Sequence, residues 1–223
     1  MGYIDYTIRR RLKLDAPVDG DLLREAVTKT AARYPYFCVR LRCGTEGFYY
    51  EPNSAPVAVL HTAGSVRLAS AQTNYHIWAV CYDADELYID FFHGLADGIG
   101  VSALTETLLY YYFQLRYGGI DAGGIRTLET PISPAECADP LDELPDVPLP
   151  ERAEAPAGFD IVRDGGMTGA PTVACDVIVP ESAFLRFTSA SDASPGTMVA
   201  LLSAKAVDKC FPERSKPILG TML

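Results

Sequence analysis

The chain has 223 residues, 48% of them hydrophobic and 22% charged, a composition that supports a packed core and fits an ordinary globular domain. Lysine and arginine number 19 against 29 aspartate and glutamate, a formal charge of −10. Such a surface repels nucleic acid and anionic lipid, which argues against a phosphate-backbone binder while leaving a local anion pocket open.

The first element is written in the alternation of Tyr3–Leu14. Ile4, Tyr6, Ile8, Leu12 and Leu14 share one face, and Asp5, Thr7, Arg9, Arg11 and Lys13 the other, the period of a half-buried strand. Arg10 is the exception, because it falls on the apolar face. Pro17, Asp19 and Gly20 end the strand. Leu23, Val27, Thr30/Ala31 and Tyr34 then predict a helix that Pro35 stops. Residues 37–42 and 48–51 predict a hairpin around Gly44–Gly47, and residues 57–61 a further strand. Two apolar, aromatic runs, 75–82 and 87–93, are joined by Asp83-Ala84-Asp85-Glu86. They predict a central hairpin with His93 at its tip.

A helix is predicted from Asp97 or Gly98 to Tyr117, on Leu104, Leu108, Tyr111/Tyr112 and Leu115, with Gly118 and Gly119 as its stop. Residues 118 to about 171 change character. Pro131, Pro134, Pro140, Pro145, Pro148, Pro150 and Pro156, with an acidic excess, predict a long surface connection outside the core. Thr172–Val179 predict a strand and Glu181–Ser189 a short helix. Ser194-Pro195 predict the cap and first residue of a helix reaching Cys210. That helix is apolar nearly all round, which predicts burial. The closing residues 216–223 read as strand. The six cysteines, at 38, 43, 81, 137, 175 and 210, show no CxxC spacing and no histidine at ligand distance. Buried free thiols in a reducing compartment fit them best. The N-terminus lacks an apolar signal core, and no run reaches the length of a membrane span. A cytoplasmic protein is expected.

The chemistry concentrates in FFHGLADGIG, residues 91–100. A general base presents a neutral imidazole to a hydroxyl or amine at neutral pH, and it needs a fixed aim. The end of a strand followed by a glycine turn supplies a sharp, exposed bend. Asp97 is placed either to bond the ring or to tie the turn down. Gly98 and Gly100 let backbone approach a substrate closely.

His93-Gly94-Leu95-Ala96-Asp97-Gly98 resembles the HxxxDG signature of the acyltransferases related to chloramphenicol acetyltransferase. That superfamily includes the condensation domains of peptide synthetases and the alcohol acetyltransferases. Phe92 stands where many members carry an extra histidine. LLREAVTKTAARYPYFCVRL resembles the first helix and following strand of the family, and SPGTMVALLSAKAVDKC the helix before the middle of a full-length member. The resemblance implies an α/β (α+β) fold, a mixed β-sheet flanked by helices, forming one half of a CoA-dependent acyltransferase. On that reading residues 1–223 are a single N-terminal half-domain with the Pro/Gly/acidic-rich connection at about 118–171. It also implies acyl transfer from a thioester, on acyl-CoA or an acyl carrier protein, to a small alcohol or amine. His93 is the implied base. Coenzyme A thioester enters as co-substrate, with no permanently bound cofactor, and no metal site is expected.

In the family the motif aspartate is architectural and salt-bridged to an arginine. Arg10, turned inward by the alternation, is the candidate partner of Asp97, because a buried guanidinium needs an acceptor. The competing reading of Arg10 is an arginine that snorkels to water. Asp97, Gly98 and Arg10 are thus the expected structural support of the site. The sequence departs from the family in lacking its later DFGWG-like motif and in spanning about one half. A missing C-terminal half, or self-association, is the expected partner. A non-catalytic binding module that keeps the fold is the alternative. His61 and His76 read as core or rim histidines, Trp78 as core, and Ser102 and Thr105 as helix hydroxyls near the site. Cys38 and Cys43 lack a nearby base.

Overall fold

The computed structural model describes residues 7–138, 157–169 and 177–219. The chain divides into two compact units, Met1–Leu144 and Pro145–Leu223.

The first unit is built on a mixed four-stranded sheet in the order β1-β6-β5-β4. Its strands are β1 (Thr7–Lys13), β4 (Val59–His61), β5 (Trp78–Asp83) and β6 (Glu86–Phe92). β6 is antiparallel to both β1 and β5, and β4 is parallel to β5. The predicted central hairpin is therefore present, with its turn at Ala84 in a left-handed conformation. Residues 1–6, which open the predicted first strand, lie outside the described residues.

The alternation along β1 assigns its faces as expected. Ile8 and Leu12 pack with Phe91, Ile89, Leu87, Trp78 and Val80 against two helices, α1 (Gly20–Arg33) and α2 (Gly100–Tyr117). Asp19 caps α1 by accepting from the N–H groups of Asp21 and Leu22. Leu23, Ala26, Val27 and Thr30 of α1, and Val101, Leu104, Leu108 and Tyr112 of α2, are the buried stripes. Trp78 is core and donates its indole N–H to the Phe37 carbonyl at 3.1 Å. The opposite face packs Ala79, Cys81 and Tyr88 beneath Ala58, Val66 and Leu68. Arg9 points into that face rather than to open solvent. It grips Asp90, itself 1% exposed, through two hydrogen bonds of 2.6 and 2.7 Å. A carboxylate this buried requires such a partner. A second, two-stranded sheet pairs β2 (Val39–Gly44) with β3 (Gly47–Pro52), the other predicted hairpin.

The connection after α2 is less free than its composition predicts. Arg126 O accepts from Thr107 Oγ1 at 2.6 Å, and Leu128 N–H donates to the Tyr111 hydroxyl at 2.7 Å. Glu136 then anchors the segment. Its carboxylate takes the buried Arg33 guanidinium at 3.0 Å, the Tyr36 hydroxyl at 2.7 Å and the Ser133 N–H at 3.0 Å.

The second unit holds α3 (Glu181–Ala190) and α4 (Pro195–Cys210), with Ser194 capping α4 as predicted. The burial predicted for α4 is not found. Only Met198 is buried, while Val199, Leu201 and Leu202 are exposed. An apolar circumference predicts burial only where other elements surround it, and among the described residues of this unit α3 is the one helix available. Val177, Ile178 and Val179 form no strand, having no described partner to pair with, and residues 172–176 lie outside the described set. Residues 216–219 are likewise not strand. The thiols also differ from expectation: Cys81 is buried, Cys38 half-buried, and Cys43, Cys137 and Cys210 are exposed. They sit on a hairpin, a docked segment and a helix end that sequence polarity did not mark as surface. Cys175 lies outside the described residues.

The Arg33 guanidinium, bonded to the Glu136 carboxylate, holds it well below its usual value of 4.5, at about 2. A depressed carboxylate adds stability above its ordinary pKa and loses it as the pH falls through the folded value. Between pH 4.5 and pH 2 the wild-type chain should therefore lose more stability than Glu136→Gln, followed by circular dichroism. Equal losses would show that the anchor is energetically idle.

Candidate functional site

The candidate site is the turn between β6 and α2. β6 buries Phe91 and ends at Phe92, so the next residue, His93, emerges at the strand tip. The chain then bends sharply. Leu95 N–H donates to the Phe92 carbonyl at 2.9 Å. A Cβ at Gly94 would lie 2.5 Å from the Phe92 ring, so the bend requires glycine or a displaced aromatic ring. His93 itself is exposed, and among the described residues its ring has no hydrogen-bond partner.

Among the described residues Asp97 does not bond the ring. Its Oδ1 accepts the Gly100 N–H at 2.6 Å, and its carbonyl accepts the Val101 N–H at 3.1 Å. The side chain thus satisfies an orphan donor at the start of α2 and places an anion at the positive end of that helix. The Arg10–Asp97 ion pair is not formed. Arg10 does reach the turn, but its partner is backbone. Nη2 donates to the Gly98 carbonyl at 2.6 Å and to Ser102 Oγ at 3.3 Å, and Nη1 donates to Thr105 Oγ1 at 3.0 Å. A guanidinium on an apolar sheet face must find acceptors, and the residues leading into α2 and its first two turns supply three. Ser102 and Thr105 are therefore spent on Arg10 and on the helix backbone, to whose carbonyls each also donates.

Three contributors escaped sequence reasoning. Tyr50 of β3 donates its hydroxyl to the Gly94 carbonyl at 2.8 Å. Nothing in its local pattern signals a partner 44 positions away. Glu136 and Arg126 are the others. With Tyr34, Phe37, Leu95 and Ala96 they line an open cleft of about 500 Å³ beside the turn. An acidic residue in a proline-rich segment gave no sign of this. His93 does not line the cleft. A second cleft, of about 520 Å³, lies between α1 and residues 52–57, with Cys38 in its wall. Burial pushes the Cys38 thiol up from its ordinary value, so it is a poor nucleophile there.

The other histidines are accounted for. His76 is fully buried and bonds the Ala55 carbonyl through Nε2 at 2.7 Å, and burial lowers its pKa. His61 stacks on the Tyr82 ring at 4.8 Å and lies 3.6 Å from Asp83. Among the described residues no cluster of histidine, cysteine or carboxylate could hold a metal ion, and no helix is long and apolar enough to cross a membrane.

If Asp97 serves as a cap, Asp97→Ala should cost about 1 kcal/mol of stability, whereas Asp97→Asn, which keeps an acceptor oxygen, should retain most of it. Thermal melts of the two variants check this. Equal loss in both would point to a charge partner instead.

No protein-family model matches the sequence, and no curated protein sequence does. Solved structures do. The starter condensation domain of rhizomide synthetase RzmA is similar to this chain with a TM-score of 0.42 and 12% identity, over 54% of this chain and 35% of that one. A variant of the same domain, solved in complex with C8-CoA, is similar with a TM-score of 0.43 and 12% identity, over 54% and 33%. Polyketide synthase associated protein 5 from Mycobacterium tuberculosis is similar with a TM-score of 0.40 and 18% identity, over 56% and 33%. Over about half its length the chain is similar to condensation domains, and it spans about a third of theirs.

Proposed function

We propose that the chain carries the histidine side of an acyltransferase site, moving an acyl group from a thioester to an alcohol or amine. The observation that supports this best is an exposed imidazole with no hydrogen-bond partner among the described residues, raised on a strand tip whose turn is bonded at both Gly94 and Gly98. The HxxxDG resemblance supplies the reaction class. An imidazole nitrogen of His93 takes the acceptor's proton as its oxygen or nitrogen attacks the thioester carbonyl. The tetrahedral adduct collapses, the C–S bond breaks, and the imidazolium returns the proton to the leaving thiolate. The thioester is carried by coenzyme A or by a carrier protein's pantetheine, and a cytoplasmic setting goes with both.

Donors for the developing oxyanion are a further requirement. We assign them to a complementary half or to a second copy of the chain. The rival reading, a non-catalytic binding module, has one observation in its favour: His93 lines neither cleft. The test is acyl transfer from acetyl-CoA to a panel of small alcohols and amines. His93→Ala should abolish transfer and leave the melting curve unchanged. Transfer retained in that variant would overturn the assignment of the base.

A further inference from the structure

We propose that Tyr50 is a positioning residue for His93, holding its imidazole through the backbone of the turn. This role rests on the acyl-transfer reading above. Among the described residues the imidazole has no bond of its own, so its aim is inherited from the backbone of the turn. The Gly94 carbonyl, one residue on, is the acceptor of the Tyr50 hydroxyl at 2.8 Å. That carbonyl lies inside the tight bend closed by Leu95 N–H and the Phe92 carbonyl. At the far end of the turn Arg10 holds the Gly98 carbonyl at 2.6 Å. The two donors come from different sheets, Arg10 from β1 and Tyr50 from β3, so the turn is fixed relative to both.

The chemistry suits the task. A phenol donates one directional hydrogen bond and is uncharged at neutral pH. Partial burial lifts the Tyr50 hydroxyl further above its ordinary pKa, which keeps its proton in place. The neighbouring Tyr49 offers the same group one residue earlier. Strand alternation turns it to the other face of the hairpin, and it makes no such bond among the described residues. Tyr50 is therefore distinguished from an adjacent tyrosine by one hydrogen bond, which one oxygen atom can remove.

Tyr50→Phe tests the role, with Tyr49→Phe as control. The first readout is amide hydrogen exchange at Leu95 by NMR, together with the chemical shifts of the His93 ring. Tyr50→Phe should exchange about three- to tenfold faster at Leu95, as expected for loss of one modest hydrogen bond. It should also move the His93 ring signals, with the melting curve unchanged. Tyr49→Phe should match wild type in all three. The second readout is turnover: kcat should fall three- to tenfold in Tyr50→Phe while KM for the thioester stays constant. A structural contribution alone would lower stability without that split. Exchange and ring chemical shifts identical to wild type in Tyr50→Phe would overturn the proposal. Absence of acyl transfer in the wild-type chain would defeat the reading it rests on, and the exchange and ring shifts would still decide whether Tyr50 holds the turn.

Discussion

The site depends on where one guanidinium can go. Arg10 occupies an inward position on a sheet face covered by two helices, among Ile8, Leu12 and Ile89. A charge placed there must be met by acceptors or moved out to water. The start of α2 meets it, because the Gly98 carbonyl just before the helix and the hydroxyls of Ser102 and Thr105 on its first two turns lie within reach. In satisfying itself, Arg10 fixes α2 to β1. It also sets the end of the turn that β6 begins, so the strand tip bearing His93 and the helix that follows cannot shift independently.

The arrangement divides labour in a way that suits a general base. The side chains of the motif do not hold the imidazole. Asp97 closes the helix start, the glycines permit the bend, and Tyr50 and Arg10 hold the Gly94 and Gly98 carbonyls along the turn. Among the described residues nothing occupies either nitrogen of the ring. A base buried in hydrogen bonds would be well oriented but occupied. A base on an unsupported loop would be free but without direction. Support through the backbone provides orientation without occupying the nitrogens, which is the condition that proton transfer to and from a substrate imposes.

Much of this was legible in the sequence, and the remainder was hidden for a physical reason. Periodicity located β1, α1 and α2 because burial on one face leaves a repeat of two or 3.6 residues, and continuous apolar runs located the β5–β6 hairpin because it is covered on both faces. Periodicity also turned Arg10 inward. It could not choose the acceptor, since a carbonyl and a carboxylate at neighbouring positions look alike to a charge argument, and geometry favours the carbonyl. Arg9 and Asp90 each read as ordinary polar positions, and their pairing is visible only once β1 lies beside β6. Glu136, Arg33 and Tyr36 meet across a hundred residues of chain. In α4 the pattern was read correctly and its consequence was not, because hydrophobicity states what a helix can bury and not whether a neighbour is present to cover it.

The claim that carries the account is that His93 presents a free imidazole where a thioester binds. Carbethoxylation with diethyl pyrocarbonate, mapped residue by residue by mass spectrometry, tests this with two internal standards. His76 is fully buried and should stay unmodified. His61 is exposed and remote in sequence from the motif, so it should react at a rate indifferent to substrate. The account predicts that His93 reacts readily and that acetyl-CoA slows its modification while leaving that of His61 unchanged. A His93 that resists the reagent as His76 does, or that reacts equally with and without acetyl-CoA, would contradict it.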